Sequence, residues 1–259
     1  MRNLDGKTVV VTGGGGGIGG ATCRRFAEAG ARVAVFDMNL AAAQQVVDGI
    51  CAAGGVAQAF KCNITDRGEV DAAVAAAEAA LGPVDVLVNN AGWDVFKPFT
   101  KTVPAEWDKL IAINLTGALH MHHAVLPGMV ERNRGHIINI GSTAGNWPYP
   151  GGNTYGGTKA FVQNFSRGLR ADLLGKRIRV TCIEPGMSET NFSNVRFKGD
   201  DAKADKVYEG TKPLSAEDVA DIIHWVNAMP AHVNINTLEV MPTCQSWSAL
   251  AVNRTMESE

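Results

Sequence analysis

Short, nearly unbroken apolar runs alternate along the chain with longer segments in which apolar residues recur every three or four positions. The runs are Lys7–Val11, Ala31–Phe36, Val56–Cys62, Val84–Asn89, His136–Ile140, Arg177–Ile183 and Asn234–Met241. Their length and β-branched content predict strands. Being apolar throughout, these strands are expected to be buried on both faces, as in a parallel sheet. The segments between them read as helices: Thr22–Ala29, Leu40–Ala53, Glu69–Leu81, a long region from Pro104 to Arg132, Tyr155–Leu174 and Ser215–Met229. Gly30 and the Gly54-Gly55 pair punctuate two of them. Strand–helix alternation of this kind predicts an α/β fold, with a doubly wound parallel sheet of the Rossmann type between two helical layers. Residues 1–259 read as a single domain with no linker, low-complexity run or internal repeat. The stretch Pro185–Pro213 is irregular and carries the charged run KGDDAKADK, which suits a lid over a substrate site.

Composition narrows the class. The chain has 259 residues, of which 46% are hydrophobic, enough for a large core, and its formal net charge is −2. No basic stripe or polybasic cluster argues for nucleic acid or a membrane surface. No apolar run approaches the roughly 18 residues of a membrane-spanning helix. The N-terminal MRNLDGKTVVVTGG does not read as a secretion signal. Cys23, Cys51, Cys62, Cys182 and Cys244 are scattered and lack a CxxC pair, so reduced thiols in the cytoplasm are expected. The HMHH run, His120 to His123, has no carboxylate or cysteine at ligand spacing. No metal is expected, and these histidines read as helix-surface or subunit-contact residues.

The first strand ends in TGGGGGIGG, Thr12–Gly20, which opens a helix. Glycine permits a tight turn and close approach of backbone to a pyrophosphate, and the following helix N-terminus offers free N–H groups to it. Thr12, Gly13, Gly17, Ile18 and Gly19 are the candidate residues. Asp37 ends the second strand, where a carboxylate can bind the adenosine ribose hydroxyls and would repel a 2′-phosphate. No lysine or arginine follows it directly, so the expected cofactor is NAD.

Tyr155 and Lys159 stand four residues apart in a predicted helix and so share a face. A tyrosine hydroxyl can protonate the oxyanion left by hydride transfer, and as phenolate can take the proton back. Its ordinary pKa near ~10 is too high for a base at neutral pH. An ammonium about 4 Å away contributes about 4 kcal/mol at an effective dielectric near 20, enough for about three units. Ser142, after the fifth strand, can hydrogen-bond the reacting oxygen. Taken singly, Tyr155 reads as a packing aromatic, Lys159 as a surface cation and Ser142 as a cap. Their joint occurrence with a cofactor loop favours catalysis.

These residues resemble the short-chain dehydrogenase/reductase family over nearly the whole chain. Thr12, Gly13, Gly17 and Gly19 match TGxxxGxG. Asn89-Asn90-Ala91-Gly92 matches NNAG. Asn114 lies in INLTG, Tyr155 and Lys159 form YxxxK, and Pro185-Gly186 with Thr190 match the PG…T motif. The resemblance implies catalytic roles for Ser142, Tyr155, Lys159 and Asn114, with Lys159 also holding the nicotinamide ribose and Asn114 a relay water. It implies cofactor contacts from Asn90, Ala91, Gly92, Pro185, Gly186 and Thr190, and a homo-oligomer, tetramer or dimer. Asn63 stands where the family commonly has an adenine-side aspartate.

The two halves resemble different branches. Up to about Ile140, TGGGGGIGGATCRRFA and NNAGWDVFKPFTKT are similar to NAD-dependent 2-hydroxycyclohexanecarboxyl-CoA dehydrogenases. From Gly141 onward, GSTAGNWPYPGGNTYGGTKAFV and PAHVNINTLEV are similar to 3-hydroxy acid dehydrogenases, which act on serine, allo-threonine and 3-hydroxypropionate and usually take NADP. A chimera is the expectation, with a small 3-hydroxy acid as substrate and NAD as cofactor. A hydroxyacyl thioester is the alternative, and a non-catalytic cofactor-binding regulator a further one. Trp93, Phe96, Trp147 and Tyr149 read as pocket wall or as packing. Arg196 reads either as a clamp for the substrate carboxylate or as the ion-pair partner of Asp200 or Asp201.

Overall fold

In the computed structural model, which describes residues 4–189 and 208–247, the seven predicted strands form one sheet. β1 is Thr8–Thr12, β2 Arg32–Asp37, β3 Val56–Lys61, β4 Val84–Asn89, β5 Gly135–Ile140, β6 Ile178–Pro185 and β7 Thr237–Val240. The order is β3-β2-β1-β4-β5-β6-β7 and every pairing is parallel. β1 and β4 are buried along their whole length, as their unbroken apolar pattern requires. α1 (Gly17–Glu28) and α2 (Leu40–Ala52) cover one face of the sheet with Val9, Val33 and Val86 beneath them. α3 (Arg67–Leu81) covers the other over Val10, Leu87 and Ile137.

The long helical region divides into α4 (Pro104–Ile111), a π-helical segment over Ala112–Gly117, and α5 (Ala118–Glu131). α6 is Asn153–Asp172 and α7 is Ala216–Ala228. The chain's second half returns to the first face of the sheet, since α7 packs on α1 and Val219, Ile223 and Val226 join the same core cluster. α1 starts at Gly17, five residues before the predicted start, because the turn after β1 rather than intrinsic propensity sets its first residue. Asp66 caps α3 through Glu69 N, and Ser215 caps α7 through Asp218 N. Among the described residues, no helix is long and apolar enough to cross a membrane.

Candidate active site

The loops at the carboxyl ends of β1, β2, β4, β5 and β6 lie together at one edge of the sheet. β1 and β4 are neighbours at the point where strand order reverses, where a crevice opens in such folds. Gly13 has φ +63°, a conformation that favours glycine. A Cβ on Gly19 would overlap Gly13 O and crowd Asn90 Nδ2, so only glycine lets α1 sit this close to β1. The loop is held by Thr12 and Asn90. Thr12 Oγ1 accepts from Asn90 N and Ala91 N, each at 3.0 Å, and Asn90 Nδ2 donates to Thr12 O at 3.0 Å. Gly16, before α1, offers no side-chain cap, and a Cβ there would meet nothing within 4 Å. This open N-terminus next to a tight glycine turn fits a dinucleotide pyrophosphate.

Asp37 ends β2 at the rim of this cradle. Its Oδ2 accepts from Gly15 N at 3.0 Å and its Oδ1 from Asn39 N at 2.9 Å. Asn63 bonds within its own turn, accepting from Thr65 N and Thr65 Oγ1.

α6 carries the two residues that the sequence pairs, Tyr155 and Lys159. Tyr155 and Lys159 are 7% and 6% exposed, and Lys159 Nζ lies 5.6 Å from the Tyr155 ring centroid. The ammonium donates to Ile140 O at 2.8 Å. Burial lowers its pKa to about 8, opposed by the nearby Cys182 and Asp94. Ser142 follows β5, and its Oγ accepts from Ala144 N at 3.1 Å. A Cβ on Gly92 would sit 3.6 Å from Asn114 Oδ1 and 3.7 Å from Lys159 Nζ, so the NNAG loop, Asn114 and Lys159 converge.

Asn114 lies within the π-helical segment and is 3% exposed. Its Oδ1 accepts from Trp93 N at 2.8 Å, and its Nδ2 donates to Trp93 O at 2.9 Å and to Thr158 Oγ1 at 3.0 Å. The carboxamide thereby ties the loop after β4 to α6, one residue before Lys159. Trp93 and Tyr149 pack on the small cluster of Val95, Leu110, Ala144 and Tyr155, which places both beside the tyrosine. Phe96 stacks on Tyr149 with centroids 6.1 Å apart. Trp147 turns instead toward Glu239, to which its indole N–H donates at 2.8 Å. Pro185 ends β6, and Gly186 N donates to Val240 O. Thr190, Arg196 and most of the expected lid lie outside the described residues.

The sequence reading passed over Asp94, 2% exposed and electrostatically coupled to Lys159. Its one sequence signal is a carboxylate set between the apolar Trp93 and Val95. The surface expectation for the HMHH run fails at His122, which is buried and bonded to Ala118 O and close to Asn89 Nδ2. Inward positions of α5 recur every three or four residues, and His122 falls on that stripe with Met121, Val125 and Met129. His120 is bonded to Ile64 O, and His123 meets Arg67. Among the described residues, no three His, Cys, Asp or Glu side chains gather as a metal site. All five cysteines are free thiols.

Residues 7–201 match the short chain dehydrogenase family. The chain is a short chain dehydrogenase. It is 48% identical to the NADP-dependent 3-hydroxy acid dehydrogenase of Escherichia coli K12 over 95% of this chain and 99% of that protein. It is 41% identical to the serine 3-dehydrogenase of Rhizobium radiobacter over 95% and 98% of the respective chains. A solved closed form of serine dehydrogenase complexed with NADP+ superimposes with a TM-score of 0.90 at 47% identity, covering 95% of this short chain dehydrogenase and 99% of that chain.

Two expectations are corrected by these findings. The chimera is not supported, because one set of 3-hydroxy acid dehydrogenases matches both halves of the chain. Family motifs such as the glycine loop and NNAG recur across branches, so local likeness in the first half does not assign a branch. NAD is contradicted, because these relatives are NADP-dependent or bound to NADP+. The inference from Asp37 failed because the carboxylate serves the fold. It holds the Gly15 amide and the Asn39 turn, so its place at the strand end does not by itself report nucleotide choice.

Proposed function

We propose that this short chain dehydrogenase interconverts a small 3-hydroxy acid and its carbonyl counterpart with NADP(H). The observation that carries the reading is the buried Tyr155–Lys159 pair beneath the NNAG loop, in a chain that aligns end to end with 3-hydroxy acid dehydrogenases. The resident dinucleotide, when bound, supplies or accepts the hydride. The glycine cradle, Ala91, Gly92, Pro185, Gly186 and Lys159 would hold it. Thr12 and Asn90 act by shaping the cradle. For the 2′-phosphate, Asp37 pairs in register with Lys61, an exposed cation on the adjacent strand. Lys61 is the cation that the register places nearest that phosphate, and the Gly15 and Asn39 amides already bond the Asp37 carboxylate.

In the oxidative direction, Tyr155 as phenolate takes the hydroxyl proton while Ser142 hydrogen-bonds the same oxygen. In the reductive direction Tyr155 gives the proton back to the oxyanion. Lys159 stabilises the phenolate, and Asn114 fixes the distance between the loop after β4 and α6. Trp93 and Tyr149 bound the space beside Tyr155. The protein is proposed to work as a homo-oligomer, with Leu119 of α5 and Phe161 of α6 partly exposed on neighbouring helices.

The test follows absorbance of the reduced nicotinamide with 3-hydroxypropionate, serine, allo-threonine and a cyclic hydroxyacyl-CoA, each with both cofactors. Turnover of the small acids with NADP+ is expected. Turnover confined to the thioester would overturn the substrate class, and tighter binding of NAD(H) in calorimetry would overturn the cofactor.

A further inference from the structure

Two carboxylates meet at the β6–β7 end of the sheet. Glu184 and Glu239 are register partners on adjacent strands, and both are bound by Asn146 Nδ2, at 2.6 Å and 3.0 Å. Gln163, one turn beyond Lys159 on α6, donates to Glu184 Oε1 at 2.7 Å and to Asn146 Oδ1 at 2.7 Å. Burial pushes the Glu184 carboxyl above its usual range, partly offset by its Asn146 and Gln163 donors. Burial alone would also raise Glu239, but donors from Trp247, Asn146 and Trp147 outweigh it and hold that carboxyl low. Of the two, Glu239 is the one whose surroundings favour the carboxylate form.

What Glu239 holds bears on the pocket. Its Oε2 accepts the Trp147 indole N–H, and its Oε1 accepts the Trp247 indole N–H. The two rings lie 6.4 Å apart at 57°. Both are partly exposed, 39% of Trp147 and 56% of Trp247. Trp147 belongs to the loop that starts at Ser142, since its backbone N–H donates to Thr143 O. The residues just before Trp247 are joined to the opposite rim, where Gln245 Oε1 accepts from Met187 N at 2.7 Å. An indole whose polar edge is spent on a carboxylate holds the rest of its ring, which is apolar, in a fixed orientation.

We infer that Glu239 is a specificity-determining residue that fixes the Trp147 and Trp247 indoles as one apolar wall of the substrate cleft, against which the substrate's carbon chain packs. The inference rests on the hydroxy acid reading above. Glu239 touches no reacting atom and acts through the two rings. The bonds that Ser142 accepts from Ala144 N and Gly145 N do not involve Glu239.

Glu239→Gln keeps the shape, but one carboxamide oxygen replaces two carboxylate oxygens, and its NH2 group faces an indole N–H. Steady-state kinetics with NADP+ on 3-hydroxypropionate and on 3-hydroxyhexanoate is the first arm. The expected result is a KM for the short acid raised about tenfold with kcat moved far less, and a kcat/KM ratio of short to long acid lowered about tenfold. Tryptophan fluorescence is the second arm. Glu239→Gln should shift the emission of the wild-type chain, and the shift should vanish when Trp147→Phe and Trp247→Phe are already present. An unchanged chain-length ratio overturns the specificity role, as does an equal fall for both acids alongside a lowered melting temperature. An unchanged emission overturns the anchoring itself. If the wild-type protein turns over neither acid, the substrate reading fails, and the fluorescence arm still decides whether Glu239 holds the two rings.

Discussion

Replacing Lys159 with methionine removes an ammonium and keeps a side chain of similar length. The nitrogen lies 5.6 Å from the Tyr155 ring centroid, with both residues buried. With the ring centroid taken as the centre of the phenolate charge and an effective dielectric of about 20, Coulomb's law gives about 3 kcal/mol of phenolate stabilisation. That is about two pKa units on Tyr155. In the oxidative direction kcat/KM rises with pH as the phenolate forms. In Lys159→Met the rising limb should therefore move up by about two units, and kcat/KM at pH 7 should fall about 100-fold. Raising the pH toward 10.5 should recover most of that loss. The variant also leaves Ile140 O without its donor, so melting curves and calorimetry with NADP+ must accompany the kinetics. A limb that stays at the wild-type pH while the rate falls uniformly would show that Lys159 acts by holding ligand or fold. The electrostatic account of Tyr155 would then be refuted.

Tyr155→Phe should lower kcat by about 10²-fold or more with cofactor affinity little changed, and near-normal turnover would remove Tyr155 from the mechanism. Asp37→Ala should tighten NADP(H) binding measured by calorimetry, and Lys61→Ala should weaken it, because a like and an opposite charge would leave the 2′-phosphate region. Gly19→Ala should abolish cofactor binding or soluble expression, since its Cβ would overlap Gly13 O; normal binding would count against the cradle. Thermal stability should fall with pH below 6.5, because burial lowers the pKa of His122 to about 4 and of His136 to about 3, and lowers that of His224 as well. Between those values and 6.5 the unfolded chain takes protons that the native state refuses. Each unit of acidification therefore costs about 1.4 kcal/mol per histidine, and a melting temperature flat from pH 6.5 to 4.5 would contradict it.

The fold and the proposed catalytic pair were legible because their signals are local. Unbroken apolar runs mark buried strands, and YxxxK needs nothing beyond helical spacing. Asp37 was misread because position alone does not say whether a carboxylate faces a ligand or two backbone amides. Neither His122 nor Asp94 announces its burial, since each depends on which neighbours the tertiary fold brings. Glu184 and Glu239 lie far apart in sequence and meet through β6–β7 pairing, which no periodicity encodes. The break in the long helix at Asn114 escaped for a related reason. Apolar spacing around INLTG satisfies an α-helix, and the wider turn emerges only in the three-dimensional packing.

That wider turn makes the site sensitive to chain length as well as to composition. A π turn accommodates one more residue than an α turn over the same rise. Deleting a single residue between Ala112 and Gly117 would let α4 and α5 fuse into one regular helix, with no loss of helical content. One end of that helix would rotate by about 100° against the other. Either Asn114 would leave Trp93 and Thr158, or Met121 and Val125 would leave the core. A circular dichroism spectrum would register almost nothing while the proposed active site came apart. The surplus residue acts as a phase setting between two halves of a helix, one meshed with the loop after β4 and the other with the sheet.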